Sequence, residues 1–186
     1  MKPLIINVRG NSGSGKTHLA REFMALCTPP ESWINEGEPD QSLVYKGQFW
    51  VVLGKYHNAC GGADGIHMQA EIVRRIKFYN KEGANVFVEG LLMSGMYGTV
   101  GKFSERFGDR WVFAFLNTPL ELCLRRVQLR RDAAGNEKPF NPANTERRHD
   151  VIARTRLRIH DMGRRVVDLD YKDPLEQLLK IIRKEG

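Results

Sequence analysis

Cysteine is scarce and unpatterned. Cys27, Cys60 and Cys123 are the three in 186 residues, and no C-x-x-C pair occurs. An odd, widely spaced set of this kind favours neither a disulfide framework nor a structural zinc site. Long apolar runs are also missing: none approaches the roughly 20 residues a membrane-spanning helix needs. The apolar stretch in MKPLIINVRG is too short for a signal peptide, so the expected location is the cytoplasm. No internal repeat, low-complexity tract or linker is visible. Acidic charge is in deficit, with 22 Asp and Glu against 29 Lys and Arg, a net charge of +7. Hydrophobic residues at 41% and a mean hydropathy of -0.43 fit one packed domain spanning 1–186.

The positive charge is concentrated. Residues 1–120 hold 13 basic and 11 acidic side chains, residues 121–165 hold 12 and 6, and residues 166–186 hold 4 and 5. All but one of the 12 basic residues in the middle segment are arginine, which suits bidentate phosphate contacts. A solvated basic helix face and a nucleic-acid-binding surface are both open readings of 121–165.

Apolar periodicity gives five strands, near 4–8, 49–53, 85–88, 111–116 and 166–169, with a short edge strand at 42–45 as a further option. Helical spacing covers 16–27, 66–81, 102–107, 120–131, 145–162 and 174–184. Alternation of this kind predicts an α/β fold, a parallel sheet with helices on both faces. Ligands in such sheets bind beyond the carboxyl ends of the strands, so the loops after Val8, Leu53, Val88 and Leu116 should converge on one site.

The first of those loops carries the clearest chemistry. Gly10, Asn11, Ser12, Gly13, Ser14, Gly15, Lys16 and Thr17 match G-x-x-x-x-G-K-[ST], the Walker A phosphate loop, between a strand and a helix. Glycines let backbone N–H groups turn inward around a phosphate, where the positive end of the helix adds to their pull. Lys16 can reach the β- and γ-phosphates of ATP, and the Thr17 hydroxyl is placed to hold Mg²⁺. The Asn-Lys-x-Asp base-reading motif of a GTPase does not occur.

Two carboxylates compete for the acceptor side. Glu89 ends the VFVEG strand, where it can join the Mg²⁺ shell or orient the acceptor; the common residue there is Asp, and a solvated strand-end acid is the bland reading. Asp64 lies in the glycine-rich CGGADG loop and can accept a hydroxyl proton, or merely hydrogen-bond its own Asp-Gly turn. Tyr56, His57, His67 and Cys60 flank it with weaker claims. Arg125, Arg126, Arg130 and Arg131 precede the punctuated stretch DAAGNEKPFNPAN and suit a lid over about 125–148 that excludes water and stabilises the moving phosphoryl group. Two adjacent pairs five residues apart cover more than half of the helix circumference, so not all four can face the nucleotide.

With GNSGSGKT, VFVEG and FLNTPLELCLRRVQLRR, nearly the whole chain resembles the P-loop group of nucleoside, nucleotide and polynucleotide kinases. That resemblance implies a three-layer P-loop NTPase fold with strand order 2-3-1-4-5, MgATP on Lys16 and Thr17, and lid arginines from 125–131. It points to Lys16, Asp64, Glu89, Arg126 and Arg130 as catalytic residues and adds Arg125 to the nucleotide contacts. More narrowly, GKYHNACGGADGI with VEGLLMSG is similar to small phage kinases of thymine hypermodification, which phosphorylate the hydroxymethyl group of 5-hydroxymethyluracil already in DNA. Trp33, Trp50, Tyr56 and Tyr97 are the aromatics available to receive a flipped base. A free nucleoside or nucleoside monophosphate kinase, and a nucleotide-dependent nucleic-acid-binding module without catalysis, are the competing readings.

Overall fold

The computed structural model describes residues 2–31, 40–57 and 61–185, so Trp33 and Cys60 lie outside the described residues. Its centre is β1 (Ile5–Arg9), hydrogen-bonded in parallel to β4 (Asn85–Glu89) on one side and β5 (Trp111–Asn117) on the other. β3 (Gln48–Val52) pairs in parallel with β4, and β6 (Val166–Asp170) with β5. β2 (Gln41–Tyr45) runs antiparallel to β3 through the Lys46-Gly47 turn. Among the described residues the sheet therefore has six strands in the order β2-β3-β4-β1-β5-β6, which corrects the expected five-stranded, all-parallel sheet: the antiparallel edge strand β2 is added and shifts the numbering, while the five parallel strands alone keep the order 2-3-1-4-5. The reason is local: a two-residue turn closes a hairpin on the outer strand, so an edge segment of mixed burial joins the sheet without any crossover.

Period-two alternation on buried strands feeds two cores. Ile6 and Val8 face the layer of α1 (Lys16–Ala25) and α7 (Pro174–Glu185), with Leu19, Phe23, Leu178 and Ile182. Ile5, Val86, Val88 and Phe113 face α2 (Gln69–Lys81), α3 (Leu91–Ser94), α4 (Gly98–Ser104) and α6 (Ala143–Asp161). α5 (Leu120–Ala133) lies against the loop that follows β1. Two helix starts differ from the sequence spacing. α2 begins at Gln69 because a 3-10 turn, Ala63–Gly65, and extended Ile66 occupy its expected first turn; the helix expected at 102–107 is α4 followed by 3-10 geometry. α3 is a single turn between Gly90 and Gly95, too short to leave a helical period in the sequence.

Arg9, at the end of β1, is wholly enclosed. Its guanidinium lies 4.8 Å from the Phe113 ring centroid, its Nε donates to Asn7 Oδ1, and its Nη1 donates to the Met96 carbonyl; Nη2 has no hydrogen-bond partner. Burial pulls its pKa down.

Candidate active site

The loop from Gly10 to Gly15 wraps the start of α1. Gly13 and Gly15 take φ of 77° and 104°, and a Cβ on Gly13 would stand 2.4 Å from the carbonyl oxygen of Cys123, where α5 lies against the loop. Lys16 is buried, and its Nζ donates to the carbonyls of Gly10 and Asn11 at 2.9 Å each. Burial lowers its pKa, while Glu89 and Asp64 pull it back up. The hydroxyl of Ser14 is buried without a partner. A glycine-lined loop with its cation folded inward and a hydroxyl unspent fits a polyphosphate.

Thr17 Oγ1 donates to Glu89 Oε1 at 3.0 Å. Burial pushes the Glu89 carboxyl up to about 7, against the opposing pull of Lys16 and the Thr17 hydroxyl. Among the described residues no cluster of three or more His, Cys, Asp or Glu side chains forms a metal cage. Thr17 and Glu89 fit instead the sparse protein share of a Mg²⁺ that completes its shell with phosphate oxygens and water. Glu89 makes a direct test possible. The folded protein keeps a proton there that the unfolded chain gives up near 4.5, so between pH 4.5 and 7 the native state binds more protons and nucleotide-free stability falls as pH rises. The full drop is about 3 kcal/mol. Urea unfolding across that window should show the decline in the wild type and lose it in Glu89→Gln, which should also respond less to Mg²⁺ in turnover.

Asp64 reaches Glu89 through a folded-back loop. Gly62, at φ 85°, passes so close that a Cβ would stand 2.5 Å from Glu89 Oε1. The loop is pinned from behind by buried Asp40, which accepts from Gly54 N–H at 2.8 Å, from Arg75 Nη1 at 3.0 Å and from the Tyr79 hydroxyl at 2.9 Å. The Asp64 carboxylate then accepts from the N–H groups of Leu91 (2.7 Å) and Leu92 (3.0 Å), capping α3 from another segment. Its partners are thus not those of its own Asp-Gly turn.

Lys16, Thr17, Asp64, Glu89, Arg126 and Arg130 line one cleft of about 930 Å³ together with Ser12, Gly13, Ser14 and Gly15. Arg126 and Arg130 share a helix face at i and i+4, and Arg126 Nη1 donates to the Gly13 carbonyl at 3.3 Å. Arg125, expected among the nucleotide contacts, is exposed and does not line the cleft, being 100° around α5 from Arg126. Arg131 also turns aside, donating to the Lys138 carbonyl at 2.6 Å. Asn11 faces away from the cleft too: its Nδ2 donates to the Thr145 carbonyl at 2.9 Å, tying the loop to α6. The opposite wall, from Arg21 on α1 and Tyr171, Leu175 and Leu179 after β6, escaped the sequence reading. Applying the carboxyl-end rule to β6 as well would have pointed to 171–173. Of the aromatics, Trp50 is inside the core, Tyr56 is buried and Tyr97 is partly exposed.

No family model matches the chain. Among solved structures, a gluconokinase from Sinorhizobium meliloti 1021 covers 96% of the chain and 89% of its own length with a TM-score of 0.53 at 15% identity, a likeness of fold alone. Among curated proteins, the 5-hmdU DNA kinase of Pseudomonas phage PaMx11 is 36% identical over 175 residues, covering 91% of this chain and 92% of that protein. The 5-hmdU DNA kinase of Pseudomonas phage M6 is 32% identical over 193 residues, covering 97% and 98%. Likeness at this level from end to end, on a P-loop cleft with two acids beside its lysine, makes the chain a P-loop kinase of the 5-hmdU DNA kinase family.

Proposed function

We infer that the protein transfers the γ-phosphate of ATP to the hydroxymethyl group of 5-hydroxymethyluracil carried in DNA. The observation that carries this reading is the meeting of Asp64 and Glu89 beside Lys16 in one cleft, in a chain almost coextensive with DNA kinases of that description. The acceptor oxygen attacks the γ-phosphorus, the bond to the β-γ bridging oxygen breaks, and ADP leaves with that electron pair. Asp64, held by two backbone N–H groups and open to the cleft, receives the hydroxyl proton. Thr17 and Glu89 would hold Mg²⁺, which when bound would neutralise charge on the phosphates. Lys16, Arg126 and Arg130 meet the negative oxygens of the transferring group and its leaving group. The enzyme works on nucleic acid through the basic segment 121–165. No described helix is long and apolar enough to cross a membrane.

Labelled ATP offered with hydroxymethyluracil-containing DNA, the free nucleoside and its monophosphate tests the acceptor directly. DNA should take the label, and activity should fall steeply between low and physiological salt, because each neutralised phosphate contributes about -0.9 to the log-log slope. Charge removal at Arg147 or Arg148, exposed or partly exposed on α6, should flatten that slope. Efficient labelling of the nucleoside or its monophosphate with DNA left untouched would overturn the reading.

A further inference from the structure

We propose that Leu92 is a wedge that fills the gap left when the acceptor nucleotide leaves a DNA duplex, with the α3–α4 turn and the neighbouring face of α6 as the duplex-binding surface. This rests on the DNA acceptor inferred above. A base inside a duplex cannot bring its hydroxymethyl group into a cleft, so it must be extruded, and proteins that kink or open duplexes commonly insert a large apolar side chain into the stack.

Exposed apolar side chains lie close along the chain to the acceptor carboxylate and its partners. Leu92 is 55% exposed, and its own N–H is one of the two donors to Asp64, so its backbone lies beside the proton acceptor while its side chain is left to solvent. Met68, 65% exposed, follows four residues after Asp64, and Tyr97, 38% exposed, lies one short turn beyond α3. Among the described residues none of these three groups packs into either core, whereas Leu91, the residue before Leu92, lines the cleft. Charge supplies the second observation. Arg158 sits over the Tyr97 ring at 4.5 Å, and Arg154, one turn earlier on α6, is exposed on the same side. α6 is fixed to this turn by the Thr155 hydroxyl donating to the Gly95 carbonyl at 3.2 Å. An exposed apolar side chain on a turn tied to an arginine-bearing helix, next to a cleft that takes a base, is complementary to a duplex and unlike a site for a free nucleoside, which offers no stack to open.

The test measures kcat/KM with labelled ATP on three forms of one hydroxymethyluracil oligonucleotide: single strand, perfect duplex, and duplex with an abasic site opposite the target. Leu92→Ala should lose about tenfold or more on the perfect duplex, stay within about twofold of wild type on the single strand, and recover on the abasic duplex, where extrusion is easier. Leu92→Phe keeps an apolar wedge and should retain duplex activity. An equal loss on all three forms, an unchanged duplex rate, or a wild type confined to single strands would overturn the wedge and leave the kinase reading intact. Failure of the wild type to label any DNA form would remove the acceptor reading itself, and the wedge with it.

Discussion

Replacing Lys16 with alanine should abolish phosphoryl transfer, lowering kcat/KM by about a thousandfold or more while the protein stays folded. The side chain is buried, yet its partners are two loop carbonyls rather than the core, and burial already costs its charged form enough to lower its pKa. Removing it therefore relieves a desolvated cation at the same time as it strips the nucleotide's β- and γ-phosphates of their mobile charge. Thermal unfolding without nucleotide should move little, and the stabilisation that ATP gives the wild type should shrink. Near-normal turnover in this variant would end the phosphate-loop assignment.

Asp64→Asn has the next largest expected effect, a fall in kcat of about a hundredfold to ten-thousandfold with the KM for ATP nearly unchanged. Two roles meet at this carboxylate, and their magnitudes separate them. Asparagine keeps one acceptor oxygen, so α3 loses one of its two capping bonds, a change of about 1 kcal/mol that unfolding measurements would read. The loss of a proton acceptor corresponds to about 3–5 kcal/mol on the barrier, which capping alone does not reach. Unchanged kcat would transfer the role to Glu89, whose pKa near 7 suits proton transfer at neutral pH.

What could be read from the sequence follows the range of each interaction. The phosphate loop is contiguous, and its strand-loop-helix setting is visible within twenty residues, so Lys16 and Thr17 fall into place from order alone. Glu89 and Asp64 follow from the rule that loops at strand ends share a site. The partners of Asp64 do not follow, because its bonds to Leu91 and Leu92 span 27 and 28 residues and depend on the loop folding over Gly62. Arg125 stands outside the cleft for the opposite reason. Its neighbour Arg126 lines the cleft while its own helical angle turns it to solvent, which composition cannot register but burial of Cys123 and Val127 decides. Trp50 was available as a base-stacking ring only until the β2 hairpin and Phe23 enclosed it. The β6–α7 wall carries no motif at all; polar turn residues there become a binding surface only because the sheet places them opposite α1.

Arg9 ties ligand affinity to the integrity of the whole chain. Among the described residues the guanidinium's partners are Asn7, the Met96 carbonyl and the rings of Phe113 and Phe115, none a carboxylate, and the phosphate loop begins at the next residue. An enclosed cation without a carboxylate partner opposes folding, and an anion that binds only the native loop at Gly10–Thr17 offsets that cost. Folding and nucleotide capture thus form one linked equilibrium: the empty protein bears the unbalanced charge, and the loaded protein lies deeper in its native well. Damage to the nucleotide pocket then reaches beyond the reaction rate, because a chain that no longer gains this stabilisation spends more time open to proteases and is held at lower abundance.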